Sequence, residues 1–194
     1  MEPSTNYIAF DRELDVLNPD TWEPDMEDVY RALPKINRFN GQTSEPYSVA
    51  RHCLNCLHAA EQLYGQADHE FLLAVLLHDA SEAYIGDIVR PIKQRFNGGL
   101  KVLEDTILKT IYKSVNVNPW FVYSETVKHI DTSMALTEIN MLTSMKASSL
   151  MEGVQYYPDN YCEPTVTWQD DEHEFRVAVK SLAVRLDDKR YEKR

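Results

Sequence analysis

Long apolar runs, paired cysteines and an excess of positive charge are all missing from this chain of 194 residues. No stretch approaches the roughly 18 consecutive apolar residues of a membrane span, and Met1 to Phe10 carries neither a basic leader nor an apolar core. The expectation is a soluble, unsecreted chain with no membrane partner. Three cysteines, Cys53, Cys56 and Cys162, make no even disulfide framework. Free thiols suit a reducing compartment, so the location is read as cytoplasmic. Lys and Arg number 20 against 31 Asp and Glu, a net charge of −11 that repels nucleic-acid backbones and anionic lipid. No nucleic-acid partner is expected. With 6 Gly, 9 Pro and 43% apolar residues, collagenous, disordered and coiled-coil classes are excluded. The length suits one domain with a real core.

What is present is helical periodicity, and no run of alternating β-branched residues is long enough for a central strand. Residues 1–23 show no helical period and read as an irregular arm with a short hairpin; residues 24–194 read as the helical domain. From Pro24 to Ile36, acidic residues precede an apolar stripe, with Pro34 shortening the helix. Ser48 caps a helix whose stripe includes Val49, Cys53, Cys56 and Leu57 and which Gly65 closes. The segment from Glu70 to Tyr84 is apolar on all sides at first and reads as one buried helix with His78 and Asp79 at its inner end. Stripes at Leu100–Val115, Val127–Met145 and Asp171–Asp188 predict three more helices, the last two joined by a long loop over 146–169. The predicted fold class is all-α, a helical bundle.

A His-Asp dipeptide says little alone, since six His and fifteen Asp in 194 residues predict about 0.46 such pairs by chance. Context carries the weight. Asp79 ends a buried helix, yet Val75, Leu76, Glu82 and Ala83, its neighbours three and four residues away, offer no cation. Glu82 adds a carboxylate to that face and Asp87 another just beyond. A divalent metal is the common way to make such a cluster favourable. His52 borders the apolar stripe of its helix, and Asp131 lies between Val127 and Met134. The mixed nitrogen and oxygen set His52, His78, Asp79 and Asp131 suits Mn, Fe, Co, Ni or Zn, and four ligands leave room for water and substrate. The run His52-Cys53-x-x-Cys56-x-His58 looks like a zinc knuckle, but it lies within a helix and lacks a second ligand pair.

The segments R-F-N-G-x-T (from Arg38), Y-S-V-A-x-H (ending at His52), L-L-H-D-A-x-E-A-Y-I-G-D-I-x-R-P-x-K (Leu76 to Lys93) and H-I-D (His129 to Asp131) together resemble the HD-superfamily metal phosphohydrolases. The resemblance covers roughly residues 10–140. It is strongest to the branch of bacterial 5′-deoxynucleotidases and phage dATP triphosphohydrolases. It implies an HD-domain helical bundle, His52, His78, Asp79 and Asp131 as metal ligands, Glu82 as catalytic acid or base, and Asp87 as a second acidic site residue. It further implies Arg38 and Lys93 as phosphate-binding cations and Phe39 packing on base or sugar, where some relatives carry Trp. Arg51 stands where that family often has Glu or Gln.

The implied partner is a small deoxynucleotide, and the implied cofactor a divalent transition metal (Co, Mn, Zn, Fe or Ni, with Mg an option at a second site). Relatives are oligomeric, so a homo-oligomer is expected. An acidic protein can bind a polyanion locally through a metal and a few placed cations. Arg51, Arg90, Lys93 and Arg95 near the motif favour a triphosphate tail, and the resemblance to the phage branch implies dATP, cleaved to deoxyadenosine and triphosphate. A 5′-deoxynucleotidase acting on dNMPs is the alternative, and a non-catalytic nucleotide-binding regulator a further one. A nuclease on the same ligands is disfavoured by the pI near 5.0.

Overall fold

A computed structural model describes residues 6–9, 12–96, 98–145 and 155–192. Among these the architecture is all-α: α1 (Met26–Ala32), α2 (Val49–Tyr64), α3 (His69–Leu76), α4 (Glu82–Ile85), α5 (Arg90–Arg95), α6 (Gly99–Ser114), α7 (Glu125–Leu142) and α8 (Trp168–Glu192). Two short strands, β1 (Asn6–Ala9) and β2 (Arg12–Asp15), pair as an antiparallel hairpin in the arm, as the sequence suggests. No described helix is long and apolar enough to cross a membrane.

The predicted stripes become the core. The Asp25 carboxylate accepts the Glu27 amide to start α1, which gives way to a tight turn at Leu33–Lys35, where Pro34 removes a helix donor. Ser48 caps α2 by accepting the Arg51 amide. α3 packs on α2 and α8, and α2 in turn lies against α7 and α8. Leu73, Leu76, Ile130, Met134 and Phe175 are wholly buried on these helices, as is Ile111 on α6. Each such side chain contributes roughly 1.5–3 kcal/mol by leaving water.

Several boundaries differ from the expected ones. α7 stops at Leu142, so Met145 lies beyond it and is exposed. α8 starts at Trp168, three residues early, because the Thr167 hydroxyl accepts the Asp170 amide. In the expected 146–169 loop, residues 146–154 lie outside the described residues. The remainder is pinned, with the Tyr157 amide donating to Thr137 and the Asn55 side chain to the Glu163 carbonyl.

The largest departure falls on the segment expected as one helix from Glu70 to Tyr84. It breaks after Leu76, and residues 77–81 form turns before α4. No Gly or Pro marks the break. The carbonyls freed at the end of α3 find side-chain donors instead, Tyr112 Oη on Ala74 at 2.9 Å and His78 Nδ1 on Val75 at 2.7 Å. The break brings consecutive residues His78 and Asp79 to one place, whereas a continuous helix would turn them about 100° apart.

Arg51 is also not where its charge would suggest. It is buried, its Nη2 2.7 Å from an oxygen of Asp171, which is wholly buried on α8, and its Nη1 2.8 Å from Glu174. The other Asp171 oxygen accepts from Ser48 and Thr165. This network ties the start of α2 to the start of α8. Asp171→Ala is expected to lower unfolding stability by about 3 kcal/mol, because it removes the buried partner of the Arg51 guanidinium and the acceptor of Ser48 and Thr165 while leaving Glu174 in place. Urea denaturation measures it, and a midpoint equal to wild type would show the network to be dispensable.

Candidate metal centre

Three chain segments converge: α2 brings His52, the turn after α3 brings His78 and Asp79, and α7 brings Asp131. One donor atom from each lies within 4.8 Å of all the others. His52 Nε2 is 3.2 Å from His78 Nε2, 3.2 Å from Asp131 Oδ1 and 3.7 Å from Asp79 Oδ2. His78 Nε2 is 3.3 Å from Asp79 Oδ2 and 3.8 Å from Asp131 Oδ1. The four residues singled out as ligands in the sequence are therefore brought together.

Their proton arrangement identifies what the cluster wants. His78 Nδ1 faces the Val75 carbonyl, which only accepts, so this nitrogen carries the proton. His52 Nδ1 lies 2.5 Å from Glu138 Oε1. Burial opposes the charge on Glu138, but His52 and Arg38 hold its carboxyl below the ordinary range, so it too accepts. Both Nε2 atoms are thus turned toward each other and toward two carboxylates. Such a set favours positive charge at its centre, carried by protons on the imidazoles or by a bound metal ion. A first-row ion bound at about 2.1 Å sets neighbouring donors about 3.0 to 3.4 Å apart, close to the spacing here. The His/Asp cluster could hold a metal ion.

Charge follows the same logic. Burial disfavours ionisation of Asp79, but His78 beside it holds the carboxyl well below the ordinary range. Asp131 is likewise depressed against its burial, through His52 and His78. Burial works to lower the His78 imidazole, yet Asp79 raises it well above the usual value. Cys56 Sγ stands 3.6 Å from His52 Nε2, so that His52, Cys56 and His78 form a second set that could hold a metal ion, although burial pushes the thiol well above its ordinary range. The zinc-knuckle geometry is absent, since His58 instead stacks on Tyr161. His129 and His173 are exposed.

Beside the cluster lie the other residues singled out. Glu82 opens α4 and is 3% exposed; its Oε1 is 3.4 Å from Lys93 Nζ, and its Oε2 has no partner. Burial, with Asp79 and Asp87 adding to it, pushes the Glu82 carboxyl well above the ordinary carboxylate range. Asp87, half-buried after Gly86 at φ 78°, is raised as well, chiefly by burial. Lys93 also meets Glu104 at 2.7 Å, and these carboxylates keep it charged despite burial. Arg38 reaches Asp79 at 3.3 Å through Nη1 and Glu138 at 3.1 Å through Nε. Phe39 lies under its guanidinium, 5.2 Å from carbon to ring centre, in a left-handed conformation at φ 54° that costs a bulky residue of the order of 1 kcal/mol.

One reading is corrected, and two site residues carry no mark in the sequence reading. Arg51 is not a cation near the motif, because Asp171 and Glu174 hold it on the α8 side. Glu138 and Tyr47 were missed altogether. Both are buried, and Tyr47 Oη donates to Glu138 Oε1 at 2.8 Å. A signal existed for Glu138: it stands seven residues after Asp131, two turns along α7, within the inward stripe of Ile130 and Met134.

The fold and cluster define an all-α protein with a mixed imidazole and carboxylate centre suited to a metal, bordered by a buried carboxyl and two cations. No protein-family model matches the sequence. The chain is 35% identical over 107 residues to an uncharacterized protein of Rhodobacter capsulatus, covering 52% of this chain and 53% of that one. It is 38% identical over 113 residues to the uncharacterized protein YfdR of Escherichia coli, 58% of each chain. The matches thus span little more than half the length of these curated relatives.

Proposed function

We propose that this chain is a metal-dependent phosphohydrolase of the HD type that cleaves deoxynucleotides at the α-phosphorus, with dATP giving deoxyadenosine and triphosphate. The observation that carries the reading is the pair of imidazoles locked through Nδ1, with both Nε2 atoms facing Asp79 and Asp131. A divalent metal such as Co, Mn, Zn, Fe or Ni held there would polarise the phosphate oxygens and lower the pKa of a bound water. Water adds to the α-phosphorus as its bond to the 5′-oxygen breaks, and the leaving oxygen takes up a proton. Glu82, with an unpaired Oε2, is the group that holds or moves that proton. Arg38 and Lys93 stabilise the phosphate charge, Asp87 assists at the acidic edge, and Phe39 supplies an apolar face to sugar or base.

One observation favours a second reading, 5′-deoxynucleotidase activity on dNMPs. Arg51 is engaged by Asp171 and Glu174, and Lys93 by Glu82 and Glu104, which weakens the case for a cationic triphosphate tail site. The resemblance to the HD branch also carries the expectation of a cytoplasmic homo-oligomer. Metal-reconstituted protein incubated separately with dATP and dAMP tests the choice. Deoxyadenosine with intact triphosphate is expected. Deoxyadenosine and phosphate from dAMP alone supports the nucleotidase, and no product from either overturns both in favour of a non-catalytic binder.

A further inference from the structure

The proposed roles leave one central group unexplained. Glu138 is a carboxylate with no solvent exposure, placed where an ordinary helix would carry an apolar residue. Burying a charge costs several kcal/mol unless it is paired and hydrogen-bonded. Glu138 has three such partners: His52 Nδ1 at 2.5 Å and Tyr47 Oη at 2.8 Å on Oε1, and Arg38 Nε at 3.1 Å on Oε2. Each oxygen thus serves a different arm of the site.

Resting on the metal-site reading above, we infer that Glu138 is a positioning residue that holds His52 Nε2 toward the metal with one oxygen and orients Arg38 toward the substrate phosphate with the other, so that one buried carboxylate sets both affinities. The Oε1 contact fixes the His52 tautomer and ring orientation and makes Nε2 a better donor. The Oε2 contact takes the Nε edge of Arg38. With Nη1 on Asp79, the guanidinium plane is determined, and a planar donor must be oriented to meet a phosphate in two-point fashion. Tyr47 supports the arrangement from behind, itself held by Asn55 Nδ2 at 2.8 Å. Neither arm requires Glu138 to touch metal or substrate.

The test uses the full chain with Co2+ and inorganic phosphate as probes. Glu138→Gln keeps the side-chain shape and is expected to weaken Co2+ binding, followed by its visible absorption, about 10- to 100-fold. At saturating Co2+ the same variant is expected to bind inorganic phosphate more weakly, because Arg38 has lost its anchor. Arg38→Lys should weaken phosphate alone. Unchanged Co2+ affinity and spectrum in folded Glu138→Gln overturns the inference while leaving the metal site intact, and no Co2+ uptake by wild type overturns both. Loss of Co2+ affinity with phosphate affinity retained overturns the joint role. Should Glu138→Gln fail to fold, nitrogen-15 histidine spectra of the Zn2+-loaded wild type decide: the inference requires His52 protonated at Nδ1 and ligated through Nε2. The opposite tautomer overturns it.

Discussion

Asp131→Ala is expected to give a folded protein that binds Co2+ more than about 100-fold more weakly and, on the proposed phosphohydrolase reading, hydrolyses deoxynucleotide at least about 1,000-fold more slowly. Asp131 Oδ1 approaches both imidazole nitrogens, at 3.2 Å from His52 and 3.8 Å from His78, so its loss removes the oxygen that closes one side of the cluster. What remains is two imidazoles and Asp79, a three-donor set with less negative charge to hold a divalent ion. The fold should tolerate the change, because the Asp131 side chain is 26% exposed and the neighbours that anchor α7, Ile130 and Met134, are untouched. Metal content after dialysis, read beside circular dichroism, is the decisive measurement. Full occupancy in a folded variant would contradict the assignment of Asp131 as a ligand.

Glu82→Gln should separate chemistry from metal binding. Hydrolysis is expected to fall about 100- to 10,000-fold, the range associated with a positioned proton-transfer group, while metal content stays at the wild-type level. The neutral amide should cost the fold nothing, since burial and the Asp79 and Asp87 carboxylates already disfavour charge on Glu82, and Lys93 keeps its 2.7 Å contact with Glu104. A site that holds an unpaired buried carboxyl oxygen trades stability for function, and relieving it is commonly neutral or stabilising. Turnover equal to wild type would remove Glu82 from the mechanism. A drop in metal content would instead make it a ligand.

The helices were legible because each carries its own apolar stripe, and burying one face per element leaves a local, periodic record. His52 and Asp131 stood out for the same reason, as polar groups on stripes otherwise apolar, and the carboxylates Asp79, Glu82 and Asp87 stood out because no cation lay within a turn of Asp79. The break after Leu76 left no such record. Nothing in the Leu76 to Tyr84 segment disfavours a helix, and the turn exists because Tyr112 and the His78 ring satisfy the carbonyls it frees. Arg51 could be read as a site cation only so long as its partner was unknown, since Asp171 lies 120 residues away.

Glu138 shows the same division most clearly. Its spacing from Asp131 put it on the inward face of α7, but its meaning lies in partners 86 and 100 residues distant, His52 and Arg38. Helical periodicity is a local property and records which residues turn inward. Which inward charges meet, and so which protons and metals they can hold, depends on how α2, α7 and the turn after α3 pack, and packing joins residues that no local pattern connects.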